Sequence, residues 1–126
     1  MIDGIPYYDG ALADPVPVQK AFDLGCDKVI LILTLPEDTV RTNKKDRKLA
    51  AGIRKTYPLA ARQMELRAQH YNEGVALART YAQQGKLLIV APDNTCGVNT
   101  LKREPNALRQ LYEKGYRDGQ LILSFL

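Results

Sequence analysis

Few residues in this chain could do chemistry. It holds one serine (Ser124), one histidine (His70) and two cysteines (Cys26 and Cys96). Acyl transfer through serine needs the hydroxyl on a sharp turn such as G-x-S-x-G, and "LILSFL" around Ser124 has no such pattern. Ser124 therefore reads as a surface or helix-end hydroxyl. Nothing close in sequence to Cys26 or Cys96 would activate a thiol, so both read as structural. His70, in "ELRAQHYNEG", has no partner at metal-ligand spacing, and a triad would need the missing serine. It reads as a helix-face side chain, and neither a metal site nor a cofactor is expected.

That leaves Asp9, in "YYDGALADPVPV" (Tyr7 to Val18). A carboxylate is ionised at neutral pH and is a weak base in open water. Partial burial at a strand end, beside a positioned hydroxyl, would raise that basicity and aim it. Gly10 fits such a place because it lets a substrate or a facing backbone come close. The competing reading is a plain Asp-Gly turn. Asp3-Gly4 and Asp118-Gly119 show how readily this chain uses the dipeptide.

The elements around Asp9 follow from pattern. "MIDGIPYYDG" reads as a short hairpin or strand ending at Asp9. Asp14-Pro15 then open a two-turn helix, "VQKAFDLG", stopped by Gly25. The unbroken run Asp27 to Leu35, "DKVILILTL", predicts a strand buried on both faces, as in a parallel sheet covered by helices. Two helical stretches come next, "DRKLAAGIRKTY" and Pro58 to Gln84. In the second, Ala60, Met64, Ala68, Tyr71, Val75, Ala78 and Ala82 recur at steps of three and four and share one face. "KLLIVAP" (Lys86 to Pro92) is a second buried-type strand, and "NALRQLYEKGYRDGQLILSFL" is helical to about Gly115 and again beyond it.

This alternation predicts an α/β fold, a partial three-layer sheet with helices on its faces. Two or three strands are too few to complete a parallel sheet. The chain is expected to be either part of a longer domain or a unit completed by another chain. A homo-oligomer covering the open sheet edge is one such arrangement.

With 126 residues, 45% hydrophobic and 25% charged, the composition fits one globular unit and excludes disordered and fibrous classes. No run approaches the ~18 apolar residues of a membrane span, and no signal-peptide pattern is visible. Two isolated thiols suit a reducing compartment, so a cytoplasmic location is expected. The net charge of +4 draws heavily on "RTNKKDRK" (Arg41 to Lys48). Such a cluster is either a solvated loop or a contact for an anionic partner. Nucleic acid is not expected, since the cations are not interleaved with aromatics and no binding motif appears.

The order of motifs from Tyr7 to Pro36 resembles the later catalytic segment of bacterial patatin-like phospholipases. The features are Asp9-Gly10-Ala11, then Asp14-Pro15-Val16-Pro17, a short helix, and a strand ending at Thr34 near Pro36. Tyr57-Pro58, Arg67 with Tyr71-Asn72, "KLLIVAP" and "LYEKGYRDG" resemble the tail of the same family. The resemblance implies an α/β hydrolase-like fold and hydrolysis of a lipid or small ester by a serine–aspartate dyad without histidine. By motif match Asp9 would be the general base, with Gly10 and Ala11 shaping its turn. The family's serine elbow and glycine-rich oxyanion loop lie upstream of this motif and are absent here. The chain is therefore expected to be the C-terminal portion of such a hydrolase, inactive alone and at most peripheral to a membrane. The alternative is a non-catalytic module that docks on anionic lipid through residues 41–48.

Overall fold

The computed structural model describes residues 3–5, 7–99 and 104–126. The two Val/Ile/Leu runs become strands β1 (Val29–Ile32) and β2 (Leu87–Val90). They pair in parallel, with Val29 opposite Leu87 and Ile32 opposite Val90. Both strands are shorter than the runs that predicted them, because regular pairing covers only four residues of each. The pleat sends alternate residues to opposite faces. Val29, Leu31 and Leu33, with Leu87, Ile89 and Ala91, pack into a core with Val16, Val18, Tyr71, Val75 and Ala78. Ile32, Val90, Thr34 and Pro92 instead line a cavity with Leu111, Gly115 and Ile122.

The first face is covered by α1 (Val18–Asp23) and α3 (Pro58–Gln83), the second only in part by α4 (Pro105–Asp118) and α5 (Leu121–Phe125). A further helix, α2 (Lys44–Ile53), packs on α3. Among the described residues this is a mixed α/β arrangement around a two-stranded parallel sheet.

Local chemistry accounts for the helix ends. Pro58 occupies the first turn of α3, where its missing N–H costs no helical hydrogen bond. Gly25 and Gly85 follow α1 and α3 at φ 90° and 70°, a region glycine enters without Cβ strain. Glu104 caps α4, its carboxylate accepting from the N–H groups of Asn106 (3.0 Å) and Ala107 (2.8 Å). The buried face of α3 is Ala61, Met64, Ala68, Tyr71, Val75 and Ala78. It matches the predicted stripe except at its ends, where Ala60 and Ala82 are only half-buried.

Other boundaries also differ from expectation: α1 begins at Val18 after Pro17, without a side-chain cap, and not at Asp14-Pro15. The helix predicted from Asp46 begins at Lys44 and ends at Ile53. Helix α4 runs through Gly115 to Asp118, since a glycine with helical φ does not stop a helix, and α5 follows from Leu121. At the N-terminus, Asp3 and Gly4 both take positive φ (49° and 77°), the signature of a tight hairpin turn. Residues 7–9 form no strand, and the rest of the expected hairpin, at Met1, Ile2 and Pro6, lies outside the described residues.

Candidate functional site

Asp9 lies on an exposed loop at the head of a short 3-10 turn, Gly10–Leu12. Its Oδ1 accepts a hydrogen bond from the Ala11 N–H at 2.8 Å, and its carbonyl accepts from the Leu12 N–H at 3.0 Å. The Gly10 carbonyl accepts from both Ala13 and Asp14 N–H at 3.0 Å. The turn reading of Asp-Gly is therefore realised, and it leaves Asp9 Oδ2 without a hydrogen-bond partner among the described residues. One oxygen thus holds the carboxylate in orientation.

Leu12 anchors this turn. It packs against the cluster of Ala50, Ala61 and Met64, together with Ile53, where α2 meets α3. A short link after α3 turns the chain back into β2, so α3 runs against the strand direction and its first half lies toward the strands' carboxyl ends. The Asp9 turn thus lies where α2 meets the first turns of α3, and none of its residues lines the cavity at the strand ends. That cavity, of about 230 Å³, is lined mostly by apolar groups of Ile32, Leu33, Val90, Leu111 and Ile122. Asp118 is the ionisable residue in its lining, and Thr34 supplies a hydroxyl.

Gly10 has φ outside the left-handed region, and a Cβ placed on it would meet nothing within 4 Å. Neither backbone nor packing among the described residues requires glycine there. Ala11 is half-buried, its N–H spent on Asp9.

The other sequence candidates stay apart from this turn. Ser124 donates its hydroxyl to the Leu121 carbonyl at 2.9 Å, an in-helix bond that ties it to α5. Cys26 is exposed, Cys96 is half-buried, and both are free thiols. His70 is half-buried on α3, with Nδ1 enclosed and unpaired among the described residues. No group of three or more His, Cys, Asp or Glu side chains among the described residues could hold a metal ion. No helix among the described residues is long and apolar enough to cross a membrane.

A second assembly was only partly visible in sequence. The loop between β1 and α2 is stitched to α3 at several points. Arg79 pairs with the Glu37 carboxylate (2.8 Å) and donates to its carbonyl (2.7 Å). The Asn72 amide clamps the Arg41 backbone, accepting from its N–H (2.9 Å) and donating to its carbonyl (3.0 Å). The Arg41 guanidinium stacks 4.0 Å from the Tyr71 ring centroid. Arg67 holds Asp46, which is buried, through two N–H donors at 2.5 and 3.3 Å. Arg67, Tyr71 and Asn72 stood out in the sequence as a spaced motif. Their shared work, which is to fix residues 41–46, depends on contacts 21 to 31 positions away.

Neither a curated protein nor a solved structure matches the chain. One family model does, described as a domain of unknown function (DUF6363), and it matches residues 57–125. The matched stretch takes in α3, β2, α4 and α5. Asp9 and β1, the partner of β2, precede it. Since the match covers more than half of the 126 residues, the chain belongs to the DUF6363 family.

Proposed function

We propose that this chain is the C-terminal portion of a patatin-like lipid acyl hydrolase in which Asp9 is the general base. The observation that carries the reading is the Asp9 carboxylate, with one oxygen fixed by the Ala11 N–H and the other exposed and unpartnered among the described residues. A base needs that arrangement, an aimed acceptor on an anchored turn.

The nucleophile is a serine on a G-x-S-x-G elbow contributed by an upstream part of the same polypeptide. Asp9 Oδ2 takes the proton from its Oγ as the oxygen attacks the ester carbonyl. The protonated carboxyl then gives that proton to the departing alkoxide, leaving an acyl-serine. In the second half Asp9 takes a proton from water, the hydroxide displaces the acyl group as the carboxylic acid, and the proton returns to the serine.

One further feature supports a lipid or small ester as substrate, and another bears on how the sheet is completed. The apolar cavity lies outside the carboxyl ends of parallel strands, where open α/β sheets hold ligands, and its lining suits an acyl chain. Ile32 in β1 is 67% exposed, which suits a sheet continued by further strands of the same polypeptide or covered by a second copy. The setting we propose is the cytoplasm, at a membrane surface.

The test is hydrolysis of a short-chain carboxylic ester by the full-length polypeptide that carries this segment. Asp9→Asn is expected to lower turnover by about 10²–10⁴-fold with the melting temperature unchanged. Asp3→Asn, in the other N-terminal Asp-Gly pair, is expected to leave turnover near wild type. Near wild-type turnover in Asp9→Asn sinks the assignment.

A further inference from the structure

We infer that the cleft between the β1–α2 loop and α3 is a binding site for a phosphate group, independent of whatever Asp9 does. The cleft encloses about 500 Å³ and is lined by Arg41, Thr42, Lys44, Lys45, Asp46 and Arg67. Four cations face one carboxylate there, which leaves three positive charges unbalanced. Cations left to themselves spread out into solvent, so such a concentration in a concave place needs a reason.

Two of these cations are held in position. Arg41 is fixed at its backbone by the Asn72 amide and at its guanidinium by the Tyr71 ring, and its side-chain nitrogens make no hydrogen bond among the described residues. Its Nε is also shut off from solvent. Arg67 spends two N–H donors on Asp46, and a guanidinium has five. Asp46 therefore orients Arg67 rather than closing the cleft to anions.

Lys44 and Lys45 are exposed at the start of α2 and supply mobile point charges at the rim, and Thr42 adds a hydroxyl. Planar forks paired with flexible ammonium groups match the oxygens of a phosphate monoester, which carries about −1.5 to −2 charges at neutral pH. A lone carboxylate would use only part of this donor set.

The chemistry is the same for a soluble phosphate ester and for a phosphate monoester headgroup in a membrane, so the test separates the two. Binding of inorganic phosphate and of glycerol 3-phosphate to the full chain is measured by calorimetry. Co-sedimentation is measured with phosphatidylcholine vesicles with and without phosphatidic acid. Variants are Arg41→Gln, the double change Lys44→Ala with Lys45→Ala, and a control pair, Lys20→Ala with Lys86→Ala, on exposed cations elsewhere.

The expected result is saturable binding of at least one phosphate source that Arg41→Gln and the double variant each weaken about tenfold or more. That is the factor for one lost hydrogen bond to a charged group. The control pair should leave it unchanged. Binding of the soluble esters assigns a free phosphate ligand, and binding of phosphatidic acid vesicles alone assigns a headgroup. The double variant changes only exposed side chains, so it carries the test should Arg41→Gln lose its fold. Absence of binding to every source overturns the site, as does equal weakening by the control pair, which would mark general surface charge.

Discussion

A methyl group on Gly74 would lie 2.7 Å from Cβ of Val16, closer than two carbons can pack. Val16 is buried, and the segment that carries it links the Asp9 turn to α1. The absence of a side chain at mid-helix position 74 is what lets that segment lie flat on α3. Gly74→Ala should therefore destabilise despite alanine's better helix propensity, by about 1–3 kcal/mol, the usual cost of overpacking. Denaturant unfolding measures it, and an unchanged or raised midpoint would show that the segment can move aside freely.

Gly10 is the opposite case. A Cβ there meets nothing within 4 Å among the described residues, and its backbone is not left-handed. Gly10→Ala should leave stability within about 0.5 kcal/mol of wild type, as expected at an open surface position. If the proposed hydrolase reading holds and Gly10 is kept small for a substrate or an opposing backbone, ester turnover in the proposed longer polypeptide should fall while the melting temperature stays put. Loss of both together would mean that the glycine serves the turn itself.

The Asp46–Arg67 pair holds α2 to α3, and its two ends differ in exposure. The Asp46 side chain is 11% exposed and that of Arg67 33%. Removing one partner of a fully buried pair costs about 3–5 kcal/mol, and partial solvation of Arg67 lowers this to about 1–3 kcal/mol for Asp46→Ala. The loss should be larger than for Glu65→Ala, whose partner Arg54 is well exposed. Comparable losses at both positions would mean that burial of Asp46 contributes nothing.

What the sequence disclosed depended on how local each signal is. The face of α3 was legible because steps of three and four residues report directly on one helix face, and five of the six buried positions stood out. The strands were legible as apolar runs, but their ends were not, since pairing ends where the neighbour ends. Gly115 looks like a stop in sequence because composition does not give φ; Gly25 and Gly85 are left-handed and Gly115 is not. Asp9 stood out as a residue, whereas its anchor, Leu12 against Ala61 and Met64, depends on residues some fifty positions away. The same holds for Arg41 on Tyr71. β2 lies inside the stretch matched by the DUF6363 family and β1 lies before it, so that stretch alone leaves its strand without the partner it has here.

Two carboxylates at α4 make its attachment pH-dependent. Lys114 beside Asp93 holds that carboxyl below its ordinary value of 3.8, aided by the Asn94 N–H. The Asn106 and Ala107 N–H groups hold Glu104 below its ordinary 4.5. A carboxyl depressed in the folded state binds protons less readily than in the unfolded chain, so its contribution is complete above the ordinary value and is lost as pH falls through the folded one. Stability and the α4 cap should therefore hold at pH 6 and weaken below about 4. Both groups are exposed, so the Asp93 effect should shrink in high salt, while the Glu104 effect, carried by short backbone hydrogen bonds, should persist. Carboxyl carbon shifts followed by NMR against pH give the two midpoints directly. Lys114→Ala should raise that of Asp93 and leave that of Glu104 unmoved. A Glu104 midpoint at or above 4.5 would mean that the cap is not formed in solution.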